Sequence, residues 1–295
     1  MSVAASNLPD SVDWEVLVVD NNSRDNTREV VEECAGRFPG RFRYCFEAQQ
    51  GKSFALNRGI LEARGTVLAF LDDDVTVEPA WLHKLTAHLF TEDWAGSGGK
   101  IILEWPANTP DWLATEGPFA RHGFPGFDQG PVAKPLDGPP FGCNMAFRKQ
   151  IFQKHGGFRI DMGPTPTSQI RAEDTEFGRR LIRAGERLRY EPEAVIYHPV
   201  PVDRLNQKYF LDWNFDNGRA LAIEFPVAPF HLAASVVAWT GRSMLPAEPK
   251  EKFFRRLVRQ QRLGELTQYC RSLFAKKTPG LPALQDRKRE STVHV

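Results

Sequence analysis

The 295-residue sequence has few cysteines and no long hydrophobic run. Cys34, Cys45, Cys143 and Cys270 are too widely spaced for a zinc site, and so few cysteines in a long chain are typical of free thiols in a reducing compartment. No stretch reaches the roughly 18 apolar residues that a transmembrane helix needs. The first residues lack the basic start and apolar centre of a signal peptide, so the sequence predicts a cytoplasmic protein.

An excess of charge of one sign is also missing, because 38 Lys and Arg residues accompany 37 Asp and Glu residues. This balance gives no reason to expect a nucleic-acid partner. Residues 246–295 differ from the rest, with 12 basic and 5 acidic residues and a net charge of +7. A basic C-terminal segment favours contact with an anionic surface such as lipid headgroups.

Short apolar runs alternate with helical patterns in the first part of the chain. Runs at 15–19, 42–46 and 66–71 predict strands, and helical spacing of apolar residues follows each of them. This alternation predicts an α/β fold with a mostly parallel sheet flanked by helices.

The later sequence predicts a change of architecture. Residues 203–275 have mainly helical patterns, so we divide the chain into a domain of residues 1–202 and a helical extension, residues 203–295, with a loose basic tail. Residues 104–141 are rich in proline, glycine and aromatic residues and predict a long loop, which we interpret as a binding loop.

Three consecutive aspartates, Asp72, Asp73 and Asp74, follow the third predicted strand. Ligands of open α/β sheets bind beyond the carboxyl ends of strands, so these acids and Asp20 and Asn21 should line one crevice. Alternation along a strand would point Asp72 and Asp74 the same way. Carboxylate oxygens suit Mg²⁺ or Mn²⁺, whereas the alternative is a solvated acidic turn.

Two other features are weak on their own. Glu173 and Asp174 begin a helical pattern, where an aspartate is commonly an N-cap. His198 ends a late strand at 194–199, and a lone histidine is more often structural than a ligand.

Five segments occur together in the order typical of family 2 glycosyltransferases of the GT-A fold. The resemblance covers roughly residues 14–200 and rests on VLVVDNNSRDNT, GKSFALNRGILEARGTVLAFLDDDV, GCNMAFRK with HGGF, AEDTEFGRRLIRAG and AVIYH. It implies transfer of a sugar from a nucleotide-sugar donor to an acceptor hydroxyl, with inversion at the anomeric carbon.

The resemblance also implies roles for individual residues. Asp72 and Asp74 resemble the DxD motif, in which Asp74 would hold Mg²⁺ or Mn²⁺ on the donor diphosphate and Asp72 would lie near the ribose or the metal. His198 matches a position that can approach the metal. Asp174 resembles the general base, with Glu173 beside it.

Other residues are implied in donor binding. Asn21 stands where the family commonly has an aspartate that reads the nucleobase, and Asp20 and Asn22 are its neighbours. Lys52 and Arg58 are candidate phosphate contacts, and Asp73 belongs to the same acidic segment.

The sequence departs from the family pattern at its start. The family's first strand and helix, which precede the VVD strand and include an inner strand of the sheet, have no counterpart in residues 1–13. We therefore expect weak donor binding and poor activity.

The expected partners are a nucleotide-sugar donor and a glycan or lipid-linked acceptor. Residues 228–275 combine apolar and basic residues, which is typical of a helix lying on a membrane surface, here the inner membrane face. The alternative is a helical subdomain whose apolar face packs on the main domain.

Two other functions stay open. A nucleotidyltransferase would have a similar core, but its glycine-rich basic first loop is not visible. A catalytically impaired relative would bind a glycan or another protein. A dehydrogenase is disfavoured because no G-x-G-x-x-G opens a helix after a strand.

Overall fold

Strands and helices alternate along the first two thirds of the chain. The computed structural model describes residues 2–6, 8–9, 12–121 and 123–274, so the predicted loose tail lies outside the described residues. The strands are β1 Val16–Asp20, β2 Phe42–Phe46, β3 Val67–Phe70, β4 Thr76–Val77, β5 Gly96–Glu104, β6 Lys134–Pro135, β7 Met145–Arg148 and β8 Leu188–Pro199. The α-helices are α1 Thr27–Arg37, α2 Lys52–Glu62, α3 Trp81–Thr86, α4 His88–Thr91, α5 Lys149–His155, α6 Glu173–Arg183, α7 Gln207–Glu224, α8 Pro229–Met244 and α9 Pro249–Phe274.

The larger sheet is mixed, which corrects the expectation of mostly parallel strands. Its order is β3-β7-β5-β8-β4, and β6 also pairs with β8. β5 and β8 are parallel, whereas β7 is antiparallel to β3 and β5, and β4 and β6 are antiparallel to β8. β3 and β4 do not pair, since they lie at opposite ends of this order. β3 runs in the direction of β5 and β8, whereas β4 runs against them, so the chain reverses direction in the short turn between β3 and β4.

A second, smaller sheet contains only β1 and β2, which are parallel. Among the described residues, β1 has no other neighbouring strand and β3 pairs only with β7. Each therefore has one edge without a partner strand among the described residues. α2 covers both sheets, since Gly59 lies beside Val19 and Ile60 packs in one core cluster with Leu68.

Strand β5 was not predicted, because glycines interrupt its apolar pattern. A side chain at Gly96 would place its Cβ 2.3 Å from the Phe147 ring, and one at Gly99 would place it 2.3 Å from the Ala194 carbonyl oxygen. The glycines are needed because neighbouring strands approach closely, which is a tertiary requirement.

Buried aromatic rings fix α6 on the sheet. The Phe152 and Phe177 rings are stacked with centroids 4.9 Å apart, and Phe147 meets Phe177 edge-on at 5.1 Å. All three side chains are fully buried. Rings packed in this way hold the first turn of α6 at a defined place above the sheet.

The aromatic residues of the 104–141 loop pack against the C-terminal helices. Trp112 meets Phe253 of α9 with ring centroids 4.6 Å apart, and Phe119 meets Phe254 at 5.6 Å. These rings stabilise the loop, so they do not support its interpretation as a binding loop. The division at residue 202 stays a prediction.

Helices α7 and α9 cross at a pair of glycines. A Cβ on Gly218 would lie 2.0 Å from the Gln261 carbonyl oxygen, and a Cβ on Gly264 would lie 1.9 Å from that of Phe215. The two backbones are therefore in contact, and larger residues at this crossing would separate the helices.

Candidate active site

Asp72, Asp73 and Asp74 lie in the turn after β3, not on the strand itself. Strand alternation therefore does not explain their arrangement, which corrects the reasoning from sequence. The chain reverses at this turn into β4, where Thr76 pairs with Tyr197 of β8. Continuing this antiparallel register by one residue places His198 opposite Val75. Because Val75 follows Asp74 in the chain, His198 lies close to Asp74.

The turn and β8 together form a group of three possible metal ligands. One ligand atom from each of Asp72, Asp74 and His198 lies within 4.8 Å of the others. The His198 Nε2 is 3.9 Å from the Asp74 Oδ1, and the imidazole is buried whereas Asp74 is exposed. Two carboxylates and an imidazole at this spacing fit a divalent cation, and all three residues were predicted as ligands.

Lys52 joins this group to the second acidic pair. Its Nζ donates a hydrogen bond of 2.8 Å to the Asp72 Oδ1 and lies 3.9 Å from the Glu173 Oε1. Burial lowers the pKa of Lys52, but the negative charges of Asp72 and Glu173 outweigh it and raise the pKa above its usual value. The ammonium group stays charged, and the two acidic groups share one cleft.

Residues 159–164, which precede α6, hold the N-terminus of α2 in place by hydrogen bonds. Lys52 is the first residue of α2. The Lys52 amide donates to the Pro164 carbonyl at 3.0 Å, and the Ser53 hydroxyl donates to the Arg159 carbonyl at 2.8 Å. Gly163 has no room for a side chain, because its Cβ would lie 2.3 Å from the Ser53 Oγ. Sequence reasoning missed this support, since these residues are far apart in the chain.

Asp174 is held at the start of α6 by two backbone amides. Its Oδ2 accepts a hydrogen bond of 2.7 Å from Gly142, and its Oδ1 accepts one of 2.6 Å from Thr175. The N-cap of this helix is Ala172, so Asp174 is not the capping residue. The bonds fix the orientation of the carboxylate, and each oxygen keeps a lone pair for a further donor. The role of Gly142 was not predicted.

Glu173 is buried beside Asp174. Burial and the charge of Asp174 raise the pKa of Glu173 from 4.5 to about 7, although Lys52 lowers it. Among the described residues, no group hydrogen-bonds to its Oε2. An uncompensated oxygen in a buried place favours the protonated form.

The side chain of Asn21 is used to hold the loop that precedes α2. Its amide donates to the Gln49 carbonyl at 2.7 Å and accepts from the Gly51 amide at 2.6 Å. It also contacts the Glu47 carbonyl at 3.3 Å. Its role as a nucleobase reader stays a prediction, because these bonds would have to be exchanged for bonds to a base.

Asp20 and Asn22 flank Asn21 at the end of β1. The Asp20 carboxylate accepts hydrogen bonds from the Tyr44 hydroxyl at 2.7 Å and the Ser23 amide at 2.8 Å. Burial raises the pKa of Asp20, but these bonds lower it below its ordinary value. Asn22 has a left-handed backbone, with φ of 63°. Both residues shape the turn.

Arg58 is not brought to the acidic group. Its guanidinium pairs with Glu62 on the same helix at 2.9 Å, and a hydrogen bond to Cys45 raises its pKa. It lies two turns along α2 from Lys52, so no observed contact supports the predicted phosphate role. Asp73 is exposed at the turn, and its donor-binding role stays a prediction.

The fold resembles a solved glycosyltransferase structure. That structure, GalNAc-T7 with UDP, GalNAc and Mn²⁺, matches with a TM-score of 0.54 and 15% identity over 92% of this chain and 53% of the other. The likeness confirms the GT-A class of α/β fold. The chain belongs to glycosyl transferase family 2, whose family model matches residues 2–156, more than half of the length.

Named relatives are identical to this chain at about a quarter of the aligned positions. The succinoglycan biosynthesis protein ExoM of Rhizobium meliloti is 27% identical over 74% of this chain and 67% of its own length. A glucosyl-dolichyl phosphate glucuronosyltransferase of Haloferax volcanii is 25% identical over 63% of this chain and 58% of its own length. These matches span about half to two thirds of the compared proteins.

Proposed function

We propose that this chain is an inverting, divalent-metal-dependent glycosyltransferase that uses a nucleoside diphosphate sugar. The observation that carries the proposal is the shared cleft, in which Lys52 contacts both Asp72 of the ligand group and Glu173 beside Asp174. A cation site for the leaving group and a separate base for the acceptor are the two parts that this reaction needs.

Each part has a defined chemical task. Asp72, Asp74 and His198 would hold Mg²⁺ or Mn²⁺, which when bound offsets the negative charge that grows on the departing diphosphate. His198 makes the site better suited to Mn²⁺, because Mg²⁺ prefers oxygen ligands. Lys52 adds a fixed positive charge on the same side of the cleft.

Asp174 would act on the acceptor. As the bond between the anomeric carbon and the diphosphate oxygen breaks, the acceptor oxygen forms the new bond and its proton passes to the Asp174 carboxylate. The hydrogen bonds from Gly142 and Thr175 hold that carboxylate in place. General-base catalysis of this kind contributes about 10²–10⁴-fold to the rate.

The relatives suggest the acceptor class. One is named for succinoglycan biosynthesis and another for a dolichyl phosphate sugar, so we propose a glycan or lipid-linked acceptor in polysaccharide or glycolipid synthesis. No helix in the described part of the chain is long and apolar enough to cross a bilayer. We also propose peripheral contact of residues 228–275 with the inner membrane face, because this segment combines apolar and basic residues.

A catalytically impaired relative that binds a glycan or partner is the second candidate. The observation in its favour is that β1 and β3 each have one edge without a neighbouring strand in the described part of the chain, so fewer backbone hydrogen bonds hold these strands. Donor turnover by this chain would exclude it.

The test is a donor screen scored by nucleotide release, with calorimetric binding of Mn²⁺ and nucleoside diphosphate as the second readout. Asp74→Ala should abolish metal-dependent binding and turnover. Asp174→Asn should keep binding and stop transfer. Asp93→Asn, at an exposed aspartate outside the cleft, is the matched control. Equal loss of binding in both cleft variants would contradict the assigned roles.

A further inference from the structure

Helix α8 has an exposed face made almost entirely of apolar residues. It packs against α9 through the buried Leu232 and through Trp239, whose ring meets Phe254. On the other side, Phe230 is 66% exposed, Val237 is 72% exposed and Met244 is 81% exposed. The alternative, in which the apolar face packs on the main domain, fits α9, whose Phe253 and Leu257 are buried in a cluster with Leu113, but it does not account for this side of α8.

Phe230, Val237 and Met244 are seven residues apart, so they form one stripe along the helix. Leu245, 56% exposed, continues the stripe at its end. A contiguous apolar stripe on a protein surface is typical of a site that contacts another apolar body.

The charges around the stripe are mostly positive, although Glu248 is also exposed just after the helix. Helix α8 contains no acidic residue, and Arg242 is exposed near its end, with its guanidinium over the Trp239 ring. Lys250 and Lys252 follow as exposed residues. Residues 228–275 hold 8 basic and 3 acidic residues, a net charge of +5.

Deepening the peripheral contact proposed above, on which this inference rests, we propose that the exposed face of α8 binds the surface of an anionic lipid bilayer, with the helix axis parallel to the membrane. Helix α8 has 16 residues, so it is roughly 24 Å long, too short to cross the apolar core. The stripe would enter the boundary between headgroups and acyl chains, and the flanking cations would contact anionic headgroups.

A second copy of the chain fits the face less well. In a dimer through this stripe, α8 has no acidic residue to pair with Arg242 of the other copy, so the cations of both copies would gather at the interface without counter-charges. An anionic lipid surface complements both the apolar stripe and its cations.

The experiment is flotation of the purified full chain with vesicles of phosphatidylcholine and phosphatidylglycerol, and with phosphatidylcholine alone. We expect binding to the anionic vesicles that weakens as salt increases. Val237→Asp should lower the partition coefficient about tenfold or more, because it replaces an apolar side chain that would enter the membrane with a charged one. Val132→Asp is the matched control, since Val132 is 68% exposed and lies outside α8.

Three results would overturn the inference: no binding to anionic vesicles at low salt, equal binding by both aspartate variants, or a dimer in solution that Val237→Asp converts to a monomer. Circular dichroism of Val237→Asp verifies that the helices are retained. The readout does not involve sugar transfer, so it can succeed or fail independently of the proposed activity.

Discussion

Replacing Glu173 with glutamine should stabilise the protein, and more so as pH increases. The wild-type carboxyl is buried and its pKa is raised from 4.5 to about 7, chiefly by burial and then by the charge of Asp174. Glutamine resembles the protonated carboxyl in shape and carries no charge. The displacement of the pKa corresponds to about 3 kcal/mol of unfavourable free energy for the ionised folded form.

The sign follows from the two protonation equilibria. Below pH 4.5 the carboxyl is protonated in both the folded and the unfolded chain, so its ionisation has no effect on stability. Between 4.5 and about 7 the unfolded chain loses the proton and the folded chain keeps it, so the folded form loses relative stability. Above about pH 7 the carboxyl is ionised in both states, so the loss of folding stability has reached its full value.

The assay is urea unfolding of wild type and Glu173→Gln at pH 5 and pH 8, followed by circular dichroism. The stability advantage of the variant should grow by about 2.5 kcal/mol between these pH values, because a small part of the cost is already present at pH 5. Glu33→Gln, at an exposed position on α1, should show no such growth. A constant difference between wild type and Glu173→Gln across this range would refute the burial argument.

Three further changes test the support of the cleft and the C-terminal helices. Lys52→Met should weaken binding of Mn²⁺ with nucleoside diphosphate in calorimetry, because a positive charge on the donor side is lost; unchanged affinity would exclude that role. Gly142→Ala would place a Cβ 3.0 Å from the Asp174 Oδ2 and should slow transfer about tenfold with donor affinity kept, whereas parallel losses would contradict a positioning effect. Gly264→Ala should lower the free energy of unfolding by about 3 kcal/mol, while Gly241→Ala, with nothing within 4 Å, should raise it by a few tenths to 1 kcal/mol; similar effects would contradict the helix contact.

The grouping of Asp72 and Asp74 with His198 was predicted from the resemblance to family 2 glycosyltransferases, and the structure brings these three side chains together. Asp72 and Asp74 lie within one short segment, and His198 ends an apolar strand whose pattern is clear. The reason that these residues meet was wrong, however. The reversal of the chain into β4 and its pairing with β8 bring them together, not alternation along a strand.

Features that depend on contacts between distant segments were not predictable. Strand β5 has a glycine-rich sequence because Gly96 and Gly99 leave room for other strands. Gly142 and Pro164 support the cleft through hydrogen bonds of their backbone atoms. Every residue type has these atoms, so the sequence does not reveal where they are used. The aromatic residues of the 104–141 loop likewise serve packing against α9, a partner that composition could not identify.

The most direct test of the account is pulsed electron paramagnetic resonance of Mn²⁺ bound with UDP. We predict a nitrogen coupling from the His198 imidazole that disappears in His198→Gln, and loss of the bound ion in Asp74→Ala. Bound Mn²⁺ without nitrogen coupling in the wild type, or equally tight binding in Asp74→Ala, would contradict the central claim that these residues hold the cation of the donor.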